Sequence, residues 1–393
     1  MKWYIASAIN QKRCLEKSME KKVGILTFHS GLNYGASLQA YALKYVLNGK
    51  NLKASVIDFR KEKSYGDNFW KNLFSCARLA RCIYEIPYRK QIGRKKKQFE
   101  KFVCEELTEN KKDLVTEDNI VNVTQHYQAL IFGSDQIWNL DPKIYDRSKV
   151  FFADFDYSGR KYAYSASFGE DISFANENKK YIIKQLAGFR RISVREKSGQ
   201  DFLLENGIDV VHTVDPTLLL KKEEWEELIN EAPIIKGKYI LYYSVNCRRY
   251  SWEIAKKLSN LTHIPVINLV EHPKVFMASF RNSYDKGPLE FLNIVKNAEY
   301  VVTNSFHGVA FSINFRKKFV PVFQKVDGKI QLEERKFDLL KRVGLKSLII
   351  TDMNEKELEK VNTIDYSTVE EKINMIRKES LSYIDGIVND LKN

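Results

Sequence analysis

The feature that most restricts this chain is a buried strand running directly into a glycine-bearing loop and a helix. Val23-Gly24-Ile25-Leu26-Thr27-Phe28 is a short apolar run bounded by charge, as a parallel strand covered on both faces requires. His29-Ser30-Gly31-Leu32-Asn33-Tyr34-Gly35-Ala36 follows as a small-residue loop, and Leu38, Tyr41, Ala42, Tyr45 and Val46 then recur at helical spacing. Residues 54–59 form the next strand. Strand, loop, helix and strand make the first βαβ unit of a doubly wound sheet.

The same plan returns along the chain. Strands are expected at 129–132, 162–166, 192–194 and 210–214, then Asp215-Pro216-Thr217 closes a first half and 221–229 reads as a helix. A second series follows: strand 239–243, helix 250–261, strand 265–269, helix 288–296, strand 300–303, the loop Asn304-Ser305-Phe306-His307-Gly308, a helix through Val309, Ala310 and Ile313, and strand 319–323. The expected architecture is α/β, with two Rossmann-like domains facing across a cleft at the carboxyl ends of their strands. Residues 1–20 read as a loose tail, with Met19 an alternative start. The first domain spans 21–230 with an insertion at 60–112, the second spans 236–350, and helices from 351–393 are expected to pack back across the joint.

Composition narrows the classes. The 393 residues are 44% hydrophobic and 29% charged, which excludes a disordered or collagen-like chain. No apolar run approaches the ~20 residues of a spanning helix. Cys14, Cys76, Cys82, Cys104 and Cys247 form no Cys-x-x-Cys pair, so neither a disulfide framework nor a zinc knuckle is indicated, and a reducing compartment is the simplest reading. The N-terminus lacks the apolar stretch of a secretory signal, which points to a cytoplasmic protein. His29, His126, His212, His263 and His272 show no metal-ligand spacing.

The net charge of +14 favours an anionic partner. Much of it sits in the insertion, where residues 60–112 carry 15 Lys and Arg against 7 Asp and Glu. With no helix-turn-helix, zinc finger or ribonucleoprotein motif, a nucleic acid is not the expected partner. The basic, aromatic stretch 69–101 has two open readings: a segment lying on an anionic membrane at the inner face of the cell, or a solvated helical insertion.

Six motifs in order carry a resemblance. They are Asn33-Tyr34-Gly35-Ala36 with Leu38–Leu43, Gly133–Trp138, Ser167-Phe168-Gly169, Ser193-Val194-Arg195-Glu196, Asp215-Pro216-Thr217 and Ser305-Phe306-His307-Gly308. Together they resemble the polysaccharide pyruvyl transferase family over residues 23 to about 345. The resemblance implies a GT-B-like fold, with the first domain on the acceptor side and the second on the donor side. It also implies transfer of the pyruvyl group of phosphoenolpyruvate onto two hydroxyls of a sugar, giving a cyclic ketal and phosphate. Acceptors would be sugars of exopolysaccharides, capsules or wall polymers, often lipid-linked. Phosphoenolpyruvate is a co-substrate, and the chemistry requires neither a cofactor nor a metal.

The residues can be sorted by what that donor demands: fixed cations, backbone N–H groups, an acid and a base. His307 opens a helix at the carboxyl end of a strand and is the candidate acid or phosphate donor, with Ser305, Phe306 and Gly308 around the donor; Ser305 reads equally as a helix cap. Arg195 suits a carboxylate, a salt bridge to Glu196 being the plainer alternative. One branch of the family has Arg-Leu-His where this chain has Ser305-Phe306-His307, so Lys325 and Arg335 are candidates to replace that arginine. Asp135 is the candidate base. Asn33, Tyr34, Gln39, Gln136 and Trp138 are candidate acceptor contacts, and Gly35 reads as the residue permitting a tight turn. A nucleotide-sugar glycosyltransferase and a non-catalytic scaffold of polysaccharide assembly are the rival readings.

Overall fold

The computed structural model describes residues 22–60, 86–109, 114–142, 149–229, 232–245, 249–269, 280–326, 329–350 and 354–393. Two parallel sheets organise it, each at the centre of one lobe. The first joins β1 (Lys22–Leu26), β2 (Lys53–Val56), β3 (Ala129–Phe132), β4 (Arg160–Ala166), β5 (Arg191–Val194) and β6 (Val211–His212) in the order β2-β1-β3-β4-β5-β6. The second joins β7 (Ile240–Tyr243), β8 (Val266–Asn268), β9 (Arg281–Asn282), β10 (Tyr300–Thr303) and β11 (Lys318–Pro321) in the order β11-β10-β7-β8-β9. A short antiparallel pair, β12 (Gln324–Val326) and β13 (Lys329–Gln331), follows. The helices used below are α1 (Tyr34–Gly49), α2 (Arg89–Phe102), α3 (Lys197–Glu205), α4 (Pro288–Asn297), α5 (Phe306–Asn314), α6 (Glu334–Arg342) and α7 (Tyr366–Lys392).

The alternation along each strand decides where the cores sit. On β1 and β3, Val23, Ile25, Ala129 and Ile131 face one core, while Leu26, Leu130 and Phe132 face another. On β7 and β10, Leu241, Tyr243 and Val301 enter that same first core, while Ile240, Tyr242, Tyr300 and Val302 face a third. Side chains two apart share a face of a strand, so each sheet has one private apolar face and one turned to the other lobe. The shared core runs without a break from α1 through α4 and α5 to α7.

Strand order places the functional loops. The first sheet reverses direction between β1 and β3, the second between β7 and β10. Loops at the carboxyl ends of strands beside such a switch point splay apart and leave a crevice. The loops after β1, β3 and β10, bearing Asn33, Asp135 and His307, all lie at these points.

Part of the basic insertion turns out to be a strap between the lobes. Residues 61–85 lie outside the described residues. The described part, α2, buries Phe99 and Phe102 in the shared core. Its polar side reaches the second lobe: Arg94 pairs with Asp285 at 3.0 Å, Gln98 donates to Glu290 at 2.8 Å, and Gln91 accepts from the Tyr284 N–H at 3.1 Å. Lys95 is buried over the Tyr34 ring. Over 89–102 the apolar face is therefore spent on the protein's own core, while Arg94, Lys96, Lys97 and Lys101 stay exposed on the basic side. From the other end, α7 returns to the first sheet, with Tyr383 donating to the Ala163 carbonyl at 2.8 Å and Asp390 pairing with Arg191 at 2.6 Å. No helix among the described residues is long and apolar enough to cross a membrane, and no group of three or more His, Cys, Asp or Glu among them could hold a metal.

Candidate active site

Asp215 is the point on which the two lobes converge. It follows β6, and its Oδ1 accepts from the Thr217 N–H at 3.0 Å and the Thr217 hydroxyl at 2.7 Å, capping the turn Pro216–Leu218. That leaves Oδ2 pointing between the lobes. There it receives Arg195 Nη1 at 2.7 Å and the Ser134 hydroxyl at 3.4 Å, and lies 3.5 Å from His307 Nε2. Burial alone would raise the Asp215 carboxyl; His307, Arg195 and Thr217 outweigh it and hold the group below its ordinary value of 3.8.

Arg195 stands at the end of β5, only 4% exposed. Burial disfavours its charge, but Glu196, Asp215 and Asp135 more than compensate, so the guanidinium is held firmly cationic. Nε donates to Glu196 at 3.1 Å, Nη1 to Asp215, and Nη2 lies 3.6 Å from Asp135, beyond hydrogen-bond range. The sequence alternative of a Glu196 bridge is thus present, as one of three acidic contacts. Phe306 of the second lobe covers the guanidinium, its ring centre 4.6 Å from Cζ.

His307 is the second residue of α5 and 6% exposed. Its ring lies against the start of α1: a Cβ on Gly35 would fall 2.0 Å from Nδ1. Gly35 is therefore required by this close approach and not by a turn, since it sits in regular helix. Gly133, by contrast, has φ +118° and faces the Tyr164 carbonyl, where a Cβ would come within 2.2 Å. That constraint shapes the turn presenting Asp135, itself at φ 68°.

Three buried polar atoms in this cluster lack a hydrogen-bond partner among the described residues: Arg195 Nη2, His307 Nε2 and Glu196 Oε2. Buried groups left in this state are rare and call for a ligand, water or movement.

A family model for polysaccharide pyruvyl transferases matches residues 33–322. The chain belongs to that family. No curated protein matches it. Among solved structures, the UDP-GlcNAc 2-epimerase of Methanocaldococcus jannaschii is 12% identical, with 87% of this chain and 92% of that one covered at a TM-score of 0.49. The E. coli heptosyltransferase WaaC is 13% identical over 78% and 90%, at 0.38. A UDP-glucosyltransferase from Polygonum tinctorium is 11% identical over 95% and 98%, at 0.39.

Within this pyruvyl transferase family member the remaining sequence candidates separate. Ser305 accepts from the Gly308 N–H at 3.3 Å, so the cap reading holds and that N–H is not free for a phosphate. Gln39 is a framework residue and not an acceptor contact: fully buried, it donates to Thr27, Phe28 and Ala36 and accepts from the Ser134 N–H at 3.2 Å, fixing the turn before Asp135. Tyr34 stacks on Phe291 at 4.5 Å and donates to the Lys286 carbonyl at 2.9 Å, which fastens the lobes and uses the ring. Trp138 has no exposed surface; it packs on Phe152 and Phe168 and donates to the Phe151 carbonyl, so no sugar can stack on it. Gln136 is half-buried and accepts from Asn139 at 2.9 Å, and Asn33 is exposed and caps α1 by accepting from the Ala36 N–H at 3.3 Å. Arg335 is ion-paired with Glu170 of the first lobe, and the Lys325 side chain lies outside the described residues.

Three contributors were missed. Asp215 stood in a quoted motif without a role, although a carboxylate after a buried strand and before Pro-Thr is a recognisable capping signal. Lys336 is buried and donates to the Asn304 and Val322 carbonyls at 3.0 and 2.6 Å, holding the strand ends beneath α5. Glu334 accepts from the Ser198 N–H at 2.8 Å and its hydroxyl at 2.5 Å, so the second lobe caps α3 beside Arg195. Both lie on α6, where sequence periodicity marks only an amphipathic surface helix.

Proposed function

We propose that this family member transfers the pyruvyl group of phosphoenolpyruvate onto two hydroxyls of a glycan sugar, forming a cyclic ketal and releasing phosphate. Membership of the family supports the coarser statement, a transferase of polysaccharide pyruvylation. The finer reading rests on one observation: a buried arginine from one lobe and a buried histidine from the other share a carboxylate, and Arg195 Nη2 and His307 Nε2 each lie near an acid without making a hydrogen bond.

Arg195 Nη2 is the receptor for the donor carboxylate. A planar guanidinium fixed by Glu196 and Asp215 cannot swing away, and its remaining edge matches a carboxylate. His307 Nε2, with the Phe306 and His307 N–H groups at the start of α5, faces the phosphate. In the first step a proton passes from His307 to the donor methylene. A sugar hydroxyl then bonds to the resulting cationic carbon and gives its proton to Asp135. The carbon–oxygen bond to phosphate breaks, and a second hydroxyl attacks the same carbon, its proton leaving with the phosphate. Asp215, 3.5 Å from His307 Nε2 and 2.7 Å from Arg195 Nη1, exchanges no proton in this scheme and acts as a positioning residue. Because Arg195 and His307 are nearly closed to solvent, the donor must enter before the lobes settle around it.

Titration calorimetry with phosphoenolpyruvate tests the assignment. Binding by the parent, weakened at least tenfold in Arg195→Lys and His307→Ala while a nucleotide-sugar panel gives no heat, is the expected result. Binding only by a nucleotide-sugar would overturn it in favour of a glycosyltransferase.

A further inference from the structure

A hollow of about 380 Å³ opens where the carboxyl ends of β1 and β2 meet the strap helix α2. This is within the range of small-molecule sites and on the side of the sheet where α/β folds take ligands. Ser30 and Leu32 form one wall, Arg60 a second, and Lys96, Phe99 and Glu100 of α2 the third. The hollow is close to the reacting groups: Gly35, which touches the His307 ring, is three residues beyond Leu32, no more than ~10 Å along the chain.

We propose that this hollow is the subsite for the acceptor sugar, a neutral pyranose ring, with Lys96, Glu100 and Arg60 as its hydrogen-bonding groups. The proposal deepens the pyruvyl-transfer reading and rests on it for the identity of the ligand. Three observations decide the chemical class. First, carboxylates accompany the cations: Arg60 is held by Asp58 at 2.7 and 3.0 Å, and Glu100 lines the hollow with Lys96. Second, Lys96 and Glu100 are four apart on one exposed face of α2, the spacing at which opposite charges ordinarily pair, yet no ion pair joins them. Third, Leu32 and Phe99 add apolar surface to these walls. A hydroxyl-rich ring with one apolar face meets all three, drawing donors and acceptors from separate charged groups. The helix supplying this wall also grips Asp285 and Glu290 of the second lobe, so a bound sugar would rest on the element that joins the lobes.

Saturation-transfer NMR on the full chain, with the methyl glycosides of glucose, galactose, mannose and their 2-acetamido forms, tests the subsite. The variant is Lys96→Gln with Glu100→Gln, both exposed, and phosphoenolpyruvate affinity is measured on the same samples. The expected result is transfer to at least one glycoside, at least tenfold weaker binding in the double variant, and unchanged phosphoenolpyruvate affinity. Equal binding by parent and variant, no glycoside bound by the parent with or without phosphoenolpyruvate, or loss of inorganic phosphate binding instead would each overturn it. Glycoside binding by a parent that ignores phosphoenolpyruvate would refute the donor reading and leave the subsite standing.

Discussion

Helices α1 and α5 begin alike, one in each lobe, and differ where it matters. Each follows a buried strand at a switch point, and each is capped by a polar residue, Asn33 or Ser305, accepting from an N–H three residues on. Each then presents an aromatic to the opposite lobe: Tyr34 lies on Phe291, and Phe306 lies on Arg195. At the next position one helix has Gly35 and the other His307, and the imidazole occupies the space a side chain on the glycine would need. The aromatic positions hold the lobes together; the following pair divides the labour, with one helix giving room and the other giving chemistry.

The largest way to break this pairing is through the carboxylate beneath it. Asp215→Asn removes the negative partner of the buried Arg195 guanidinium and the carboxylate beside the His307 imidazole, and losses of about 3–5 kcal/mol are typical for breaking a buried ion pair. The sign with pH follows from the direction of the shift. The Asp215 carboxyl is held below its ordinary 3.8, so its contribution is complete above that value and drains as pH falls below it. Urea denaturation should show a wide gap between parent and variant at pH 6 and a narrower one at pH 3. A gap independent of pH would mean that the charge on Asp215 does not stabilise the joint.

Gly35→Ala sharpens the comparison itself. The new Cβ cannot coexist with His307 as placed, so the imidazole or the helix must move. Overpacking of this kind costs about 1–3 kcal/mol, and a displacement near 1 Å at the reacting groups can reduce turnover about a hundredfold. The same substitution made in His307→Ala should cost less, because the ring atoms at 2.0 and 2.3 Å are gone and only the Cβ of residue 307, at 2.8 Å, still has to give way. A double-mutant cycle measured by urea midpoint isolates this coupling without assuming any substrate. Additive losses would show that Gly35 serves α1 alone.

How much of this was readable from the sequence depends on the range of the interaction. The strands of both sheets could be placed because burial on two faces writes an uninterrupted apolar run, and the loops of interest followed from strand ends. Arg195 and His307 could be placed at one cleft, one from each lobe, but the carboxylate that links them was not identified, since Asp215 joins them across the chain and no local pattern encodes that. Trp138, Gln39 and Tyr34 were misassigned for one physical reason: polar or aromatic side chains next to a functional loop are as useful for holding it as for touching a ligand. Only their burial separates the two. The strap helix was read from its charge, whereas its fate was set by Phe99 and Phe102, three apart and buried on one face, with Arg94, Lys96 and Lys97 exposed.

The two caps offer the finest test of the symmetry. Each accepts one first-turn N–H at 3.3 Å, so Asn33→Ala and Ser305→Ala should each cost about 1 kcal/mol, additively because the two caps share no hydrogen-bond partner. Their functional consequences should part. Asn33 is exposed and stands before the residue that merely leaves room, so its loss should show in the urea midpoint and leave phosphoenolpyruvate affinity within twofold. Ser305 is buried, two residues before His307, and its loss frees the Gly308 N–H beneath the imidazole. A severalfold change in donor affinity is expected there for the same stability cost. Equal effects of the two variants on donor affinity would mean that the helix starts are alike in function as well as in build, and the division of labour between Gly35 and His307 would fall.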